Sequence, residues 1–139
     1  MRLNPLVLMV EKYLSRSAVK GALYSVVLMG LVGCVMDEKC LGELVGTYEG
    51  EESCPQHLTT VTLIIEKTSK EDEVRCTFVG TGIEFIGKLS YDCAAIEIKE
   101  QNVAAVNGKI DGALYWNGQE ISGSIEYPTE SCAYRLAKR

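Results

Sequence analysis

Histidine is almost absent from this chain: His57 stands alone in 139 residues. A catalytic Ser–His–Asp relay or an ordinary zinc centre needs a histidine with placed partners. Cys54-Pro55-Gln56-His57 could open a metal site, but the second ligand pair is missing, so His57 is expected as an exposed loop residue. Cys-x-x-Cys is absent as well, which argues against zinc ribbons, thioredoxin-like redox sites and haem attachment together. The acidic groups Glu49, Glu51, Glu52 and Glu71-Asp72-Glu73 lack the frame of an EF-hand loop and read as solvated surface. No cofactor and no metal is expected. A nucleophile, base and oxyanion arrangement is also missing from the pattern, and the chain is expected to be a non-enzyme.

Clustered lysine and arginine are missing too. The first 33 residues carry Arg2, Lys12, Arg16 and Lys20 against Glu11, whereas the remaining 106 carry 10 basic and 18 acidic residues. Phosphate backbones are met by clustered cations, so nucleic acid is not an expected partner. An acidic surface keeps a domain soluble or steers a basic protein toward it.

A membrane span of about 20 apolar residues is not found either. Instead Arg16 and Lys20 lead into the apolar stretch 21–30, followed by Leu31-Val32-Gly33-Cys34. A positive start, a short apolar core and small residues before a cleavage point make an export signal. The final four residues resemble the lipobox of bacterial lipoproteins: an aliphatic residue, a tolerant position, a small residue, then cysteine. The resemblance implies that residues 1–33 are a cleaved signal peptide and that Cys34 becomes a lipidated first residue. Membrane lipid, held through acylated Cys34, is then the first expected partner, since more than one acyl chain gives stable anchoring. Val35 rather than aspartate after the cysteine implies, for a Gram-negative source, an outer-membrane lipoprotein facing the periplasm. The competing reading is an uncleaved anchor helix with an incidental thiol. Residues 34–43 read as a lipidated tether and residues 44–139 as the folded domain.

Within that domain hydrophobicity alternates with period two, the signature of half-buried strands. Strands are expected over 44–49, 59–66, 74–79, 83–90, 94–99, 109–116, 119–127 and 133–138, with a weak strand or turn over 101–107. Asn117-Gly118 suits a two-residue type I′ hairpin turn. No amphipathic helix stands out. Short consecutive antiparallel strands make a meander, and closure removes exposed edges. The expected fold is therefore all-β, a small antiparallel barrel of about eight strands, with a two-sheet sandwich as the alternative. A barrel this small is filled by its own side chains.

Six cysteines (34, 40, 54, 76, 93, 132) suit an oxidising compartment. Lipidation of Cys34 would leave five, hence two disulfides and one odd thiol. Barrel closure sets the first strand against the last, which brings Cys54 near Cys132. Cys76 with Cys93 is the expected second pair, leaving Cys40 in the tether as the odd one.

Tyr115-Trp116 beside the Asn117-Gly118 turn are the candidate binding residues, because aromatics beside a rigid turn make good recognition anchors. The bland alternative has Trp116 packing into the barrel end. In size class, export signal and strand pattern the chain resembles membrane-bound inhibitors of C-type lysozyme, and its mature domain is similar in architecture to small lipocalin-like barrels. That resemblance implies a non-catalytic envelope binding module, with a basic protein among its possible partners. It reaches the architecture alone: Tyr115-Trp116-Asn117-Gly118 carries asparagine where those inhibitors carry lysine. A structural or assembly lipoprotein of an envelope complex is the other class considered.

Overall fold

A computed structural model describes residues 38–139 of the chain. The expected signal peptide and lipobox, with Cys34 and the first part of the expected tether, lie outside the described residues. A short helix, α1 (Glu38–Leu44), leads into eight strands: β1 (Gly46–Cys54), β2 (His57–Lys67), β3 (Glu73–Phe78), β4 (Glu84–Leu89), β5 (Ala95–Val103), β6 (Gly108–Trp116), β7 (Glu120–Glu126) and β8 (Ser131–Lys138). A 3-10 turn (Ala104–Val106) separates β5 from β6. Each strand pairs antiparallel with the next, and β1 pairs with β8, so the sheet closes on itself. Barrel, not sandwich, is the outcome.

Alternation does the sorting that the pattern promised. On β3 Val74, Cys76 and Phe78 face inward and are buried, as are Ile121 and Ile125 on β7 and Cys132, Tyr134 and Leu136 on β8. These side chains meet across the barrel and form one core, where full burial of each large apolar group contributes about 1.5–3 kcal/mol. Small residues sit where the wall must bend or strands approach closely. A methyl group at Gly50 would overlap the Arg135 carbonyl oxygen, and Gly112, at φ +150°, could not carry one without meeting that of Ser124. Closure at the β1–β8 and β6–β7 contacts thus depends on a missing side chain.

The β4–β5 contact is the narrow place in the wall. Its backbone pairing is confined to Lys88↔Glu97 and Leu89↔Ile96, and β5 carries an irregularity between Ile98 and Gln101. Gln101 fills the gap with its side chain: Ile86 N–H donates to Oε1 at 2.9 Å, and Nε2 donates to the Ile86 carbonyl at 2.8 Å. The amide group acts there as a substitute peptide unit.

Strand direction divides the connections between two ends. At one end, called here the helix end, α1 enters and the β2–β3, β4–β5 and β6–β7 connections gather; the other four gather at the opposite, open end. α1 was not foreseen. It is too short to show a helical period, yet Leu41 and Leu44 are buried against the barrel. The Tyr48 hydroxyl donates to the Leu44 carbonyl at 2.6 Å, and the Lys138 ammonium donates to that of Glu43. Residues 38–43, expected as tether, are therefore part of the folded body.

The disulfides correct one expectation and bear out another. Cys54 bonds Cys132 at the open end, across the β1–β8 seam, as closure required. Cys93, however, bonds Cys40 of α1 and not Cys76. Cys76 faces inward from the middle of β3, opposite Ile65 and Phe85, whereas Cys93 occupies the β4–β5 turn at the helix end. The odd thiol among the described residues is thus buried Cys76, not Cys40. The hairpin turn also differs from expectation. β6 and β7 are joined by three residues, and Gly118 has positive φ while Asn117 does not. The Asn117 side chain accepts from the N–H groups of Gln119 and Glu120 at 3.0 and 2.8 Å, an Asx-type turn that stands in for type I′.

Candidate functional site

β1 alternates strictly, and the residue that this places inward after Tyr48 and Gly50 is Glu52. A carboxylate therefore projects into the open mouth of the barrel, its side chain 16% exposed. Directly across the closing seam stands Tyr134, also inward and buried. Its hydroxyl donates to Glu52 Oε2 at 2.5 Å. The Tyr134 ring stacks on Phe78, with centroids 5.1 Å apart, which fixes the direction of that hydroxyl.

Proton accounting orients the rest. Tyr134 has one hydroxyl proton and gives it to Glu52, so the 2.6 Å contact between the Tyr127 and Tyr134 hydroxyls must have Tyr127 as donor. A directed chain, Tyr127 to Tyr134 to Glu52, results. Both phenols hold their protons firmly. Burial, then the bonds to Glu52 and Tyr127, lifts Tyr134 far above the ordinary phenol range. Burial also pushes Tyr127 up to about 12, with the nearby carboxylates of Glu52 and Glu130 adding to the rise. On the other side of Glu52, His57 Nε2 lies 3.5 Å from Oε1.

These groups surround a hollow of about 290 Å³ at the mouth, lined by Glu52, Ile83, Val106, the 127–130 turn (Tyr127, Pro128, Thr129 and Glu130) and the Cys54 and Cys132 pair. Two donor sets lie within 4.8 Å here, Glu52 with Cys54 and Cys132, and Cys54 with His57 and Glu130. Both need Cys54, whose sulfur is bonded to Cys132. A disulfide sulfur is not a thiolate and does not ligate a metal, so neither set argues for an ion. What the hollow does offer is acceptors: two carboxylates, and a Tyr127 oxygen whose own proton is already committed to Tyr134.

Acidic groups are spread along the whole barrel, the mouth included. At the open end Glu51, Glu52, Glu84, Glu100, Glu126 and Glu130 face Lys109, itself paired with Glu100, Arg75, paired with Glu84, and Arg135, which stands opposite Glu51. At the helix end Lys67, Lys70, Lys88 and Lys138 alternate with Glu66, Glu71, Asp72 and Glu73, and pairs such as Lys70–Glu73 and Lys88–Asp72 form. The helix end adds Glu38, Glu43, Asp92 and Glu120 against Lys39 and Arg139, so carboxylates outnumber cations at both ends.

The aromatic candidates separate. Tyr115 faces outward and is 56% exposed, above a shallow depression shared with Ser122 and Arg135. Trp116 faces inward and packs against the core at the helix end. Its indole N–H is buried beside the Tyr48 hydroxyl without completing a hydrogen bond. His57 begins β2 and is exposed; it does not sit in a loop. Glu52 and Tyr134 were not singled out by sequence. Counting two at a time from Tyr48 would have exposed the inward carboxylate. Tyr134 shows only once the seam is closed.

No protein-family model, no curated protein and no solved structure matches this chain.

Proposed function

We propose that the protein is a non-catalytic envelope lipoprotein, anchored through an acylated Cys34, whose barrel is a binding module for a basic protein. The observation that carries this reading is the polarity of the domain: the chain enters at the helix end, and the acidic mouth lies at the other. Glu38 lies four positions after Cys34, a reach of at most about 14 Å. A lipid held on Cys34 would therefore keep the helix end near the bilayer and turn the mouth away from it. A carboxylate-rich surface in that position raises the local concentration and the encounter rate of cationic partners.

Among the described residues the large exposed apolar groups are few and divided between the ends, with Leu58 and Val79 toward the mouth and Tyr91 and Tyr115 toward α1. That division favours charge over apolar contact as the main means of recognition. It also weighs against a purely structural lipoprotein docked through one greasy face. A lysozyme-inhibitor-like role is one form of the same reading, supported by the closed eight-strand architecture and the acidic mouth.

Two measurements test it. Intact mass of the protein from its native host is expected to show loss of residues 1–33, a lipid adduct on Cys34 and two disulfides. Crosslinking in the host is expected to capture a basic protein, with capture falling steeply as salt rises. A mass retaining the signal segment, or capture of acidic or apolar partners that ignores salt, would overturn the reading.

A further inference from the structure

The mouth hollow has the features of a receptor for one side chain. Resting on the reading above, we propose that it receives a single arginine of the basic partner, clamped between Glu52 and Glu130 and laid against Tyr127 and Pro128.

Four observations converge. The first is the direction of the hydrogen bonds. Tyr127 gives its proton to Tyr134, and Tyr134 gives its own to Glu52, so the phenolic and carboxylate oxygens around the hollow can only accept. A ligand that meets those oxygens must bring donors, and guanidinium brings five in a rigid plane with no acceptor. The second is that Glu52 is held in place. A carboxylate fixed by a 2.5 Å bond from a stacked, buried tyrosine loses little freedom when a cation arrives, and preorganisation of this kind reduces the cost of binding.

The third is size and wall chemistry. About 290 Å³ lies at the small end of ligand sites, suited to one side chain and not to a helix or a lipid tail. Ile83, Val106 and Pro128 give an apolar wall for the methylene stem, and the Cys54–Cys132 bridge makes one side rigid. Tyr127 also lines the hollow, and on a tyrosine ring a planar cation stacks better than an ammonium does. The fourth is charge: the two clamp carboxylates stand together at the hollow and disfavour an anion there, whereas a cation is attracted. His57, 3.5 Å from Glu52 and with its nitrogen near Glu130, occupies the rim of the same site.

The test uses the full chain, isotope-labelled and held in detergent micelles, titrated with the blocked peptide acetyl-Gly-Arg-Gly-amide and followed by amide chemical shifts. Saturable shifts confined to the neighbourhood of Glu52, His57, Val106, Thr129 and Glu130 are expected. The citrulline counterpart, of equal shape but no charge, should show no saturation, and the lysine counterpart should bind several-fold more weakly. Glu52→Gln should weaken the arginine peptide tenfold or more and Glu130→Gln several-fold. Glu126→Gln removes an equal charge outside the hollow and should change it less than twofold. If Glu52→Gln does not fold, Glu130→Gln against Glu126→Gln decides the matter alone.

Shifts scattered over the barrel, equal loss in Glu126→Gln and Glu130→Gln, or saturation by the citrulline peptide would overturn the proposal. So would a hollow that binds zinc or calcium ions but no arginine peptide. Crosslinking separates this inference from the functional reading beneath it. A basic partner captured equally by wild type and Glu130→Gln sinks the arginine receptor and leaves the function standing. Peptide binding in the hollow with no basic partner in the host does the reverse.

Discussion

Tyr134 donates its hydroxyl proton to Glu52 across the β1–β8 seam, at 2.5 Å and between residues 82 positions apart in the chain. The two stand directly opposite each other in the register and both point inward. The bond therefore joins the first strand to the last at the place where the barrel closes, and it satisfies a carboxylate that is largely withdrawn from water.

Removing that donor should be costly. Tyr134→Phe leaves Glu52 without its phenolic partner and Tyr127 without its acceptor, and hydrogen bonds to charged groups contribute about 1.5–3 kcal/mol. A loss of about 2 kcal/mol is expected, which lowers the melting temperature by roughly 10 °C in a domain of this size. Glu52→Gln combined with Tyr134→Phe should cost less than the two single changes added together, because both remove the same bond. Thermal melts of the four proteins check this; simple additivity would mean that the pair does not act as a unit.

The seam was only half legible in advance. Period-two patterning along β2, β3 and β7 exposes the strands and their inner faces, because burial of one face leaves a direct mark on residue choice. Closure then followed from strand number and placed Cys54 beside Cys132. α1 left no such mark: seven residues make under two turns, and its helicity depends on Leu41 and Leu44 finding the barrel end. Cys40 reads as a tether thiol for the same reason. The partner of Cys93 is chosen by that helix, and Cys76, inward on a strand with β4 between it and β5, has no cysteine within reach among the described residues. The acidity of Glu52 suggests surface, whereas alternation from Tyr48 points it inward.

The two bridges should contribute similar amounts. They close stretches of 78 and 53 residues, for which the chain-entropy relation gives on the order of 4 kcal/mol each. Peptide mapping without reduction is expected to return Cys54 with Cys132 and Cys40 with Cys93. Paired alanine substitutions should each lower stability by about that amount in denaturant titrations. A Cys76–Cys93 peptide in the map would contradict the structure outright.

Gln101 offers a local test of the weakest contact in the wall. Gln101→Ala removes both bonds to Ile86 and leaves two backbone groups to find water. At about 1 kcal/mol for each neutral bond, the expected loss is about 2 kcal/mol. The more telling readout is hydrogen exchange. Amides of β4 and β5 should exchange faster while those of β1 and β8 keep their protection. Uniform acceleration would mean that Gln101 matters only to global stability.

Alkaline pH should weaken the fold in a defined window. Burial pushes the Cys76 thiol from 9.0 to about 12 and the Tyr48 and Tyr127 phenols from 10.0 to about 12. All three are raised on folding, so the folded state holds protons that the unfolded chain gives up. Their contribution is complete below pH 9 and is lost as pH climbs toward 12. Melting temperature should be level from pH 7 to 9 and fall beyond. Replacing Cys76 with alanine should flatten the early part of that fall. Iodoacetamide at pH 8.5 should leave Cys76 unlabelled in the native protein and label it once the chain is denatured, as read by peptide mass spectrometry.

The Cys40–Cys93 bridge also decides how the domain bears a load. In a ring of eight strands the β4–β5 turn stands half a circumference away from the start of β1. A pull on the chain ahead of Cys40 reaches the barrel through Cys93, on the rim opposite the seam. Without the bridge the same pull would run through Leu44 into Gly46 and peel β1 from β2 and β8 one hydrogen bond at a time. With it, β1 lies outside the line of tension, and the strand that completes the ring is relieved of force by a covalent shackle on its far side.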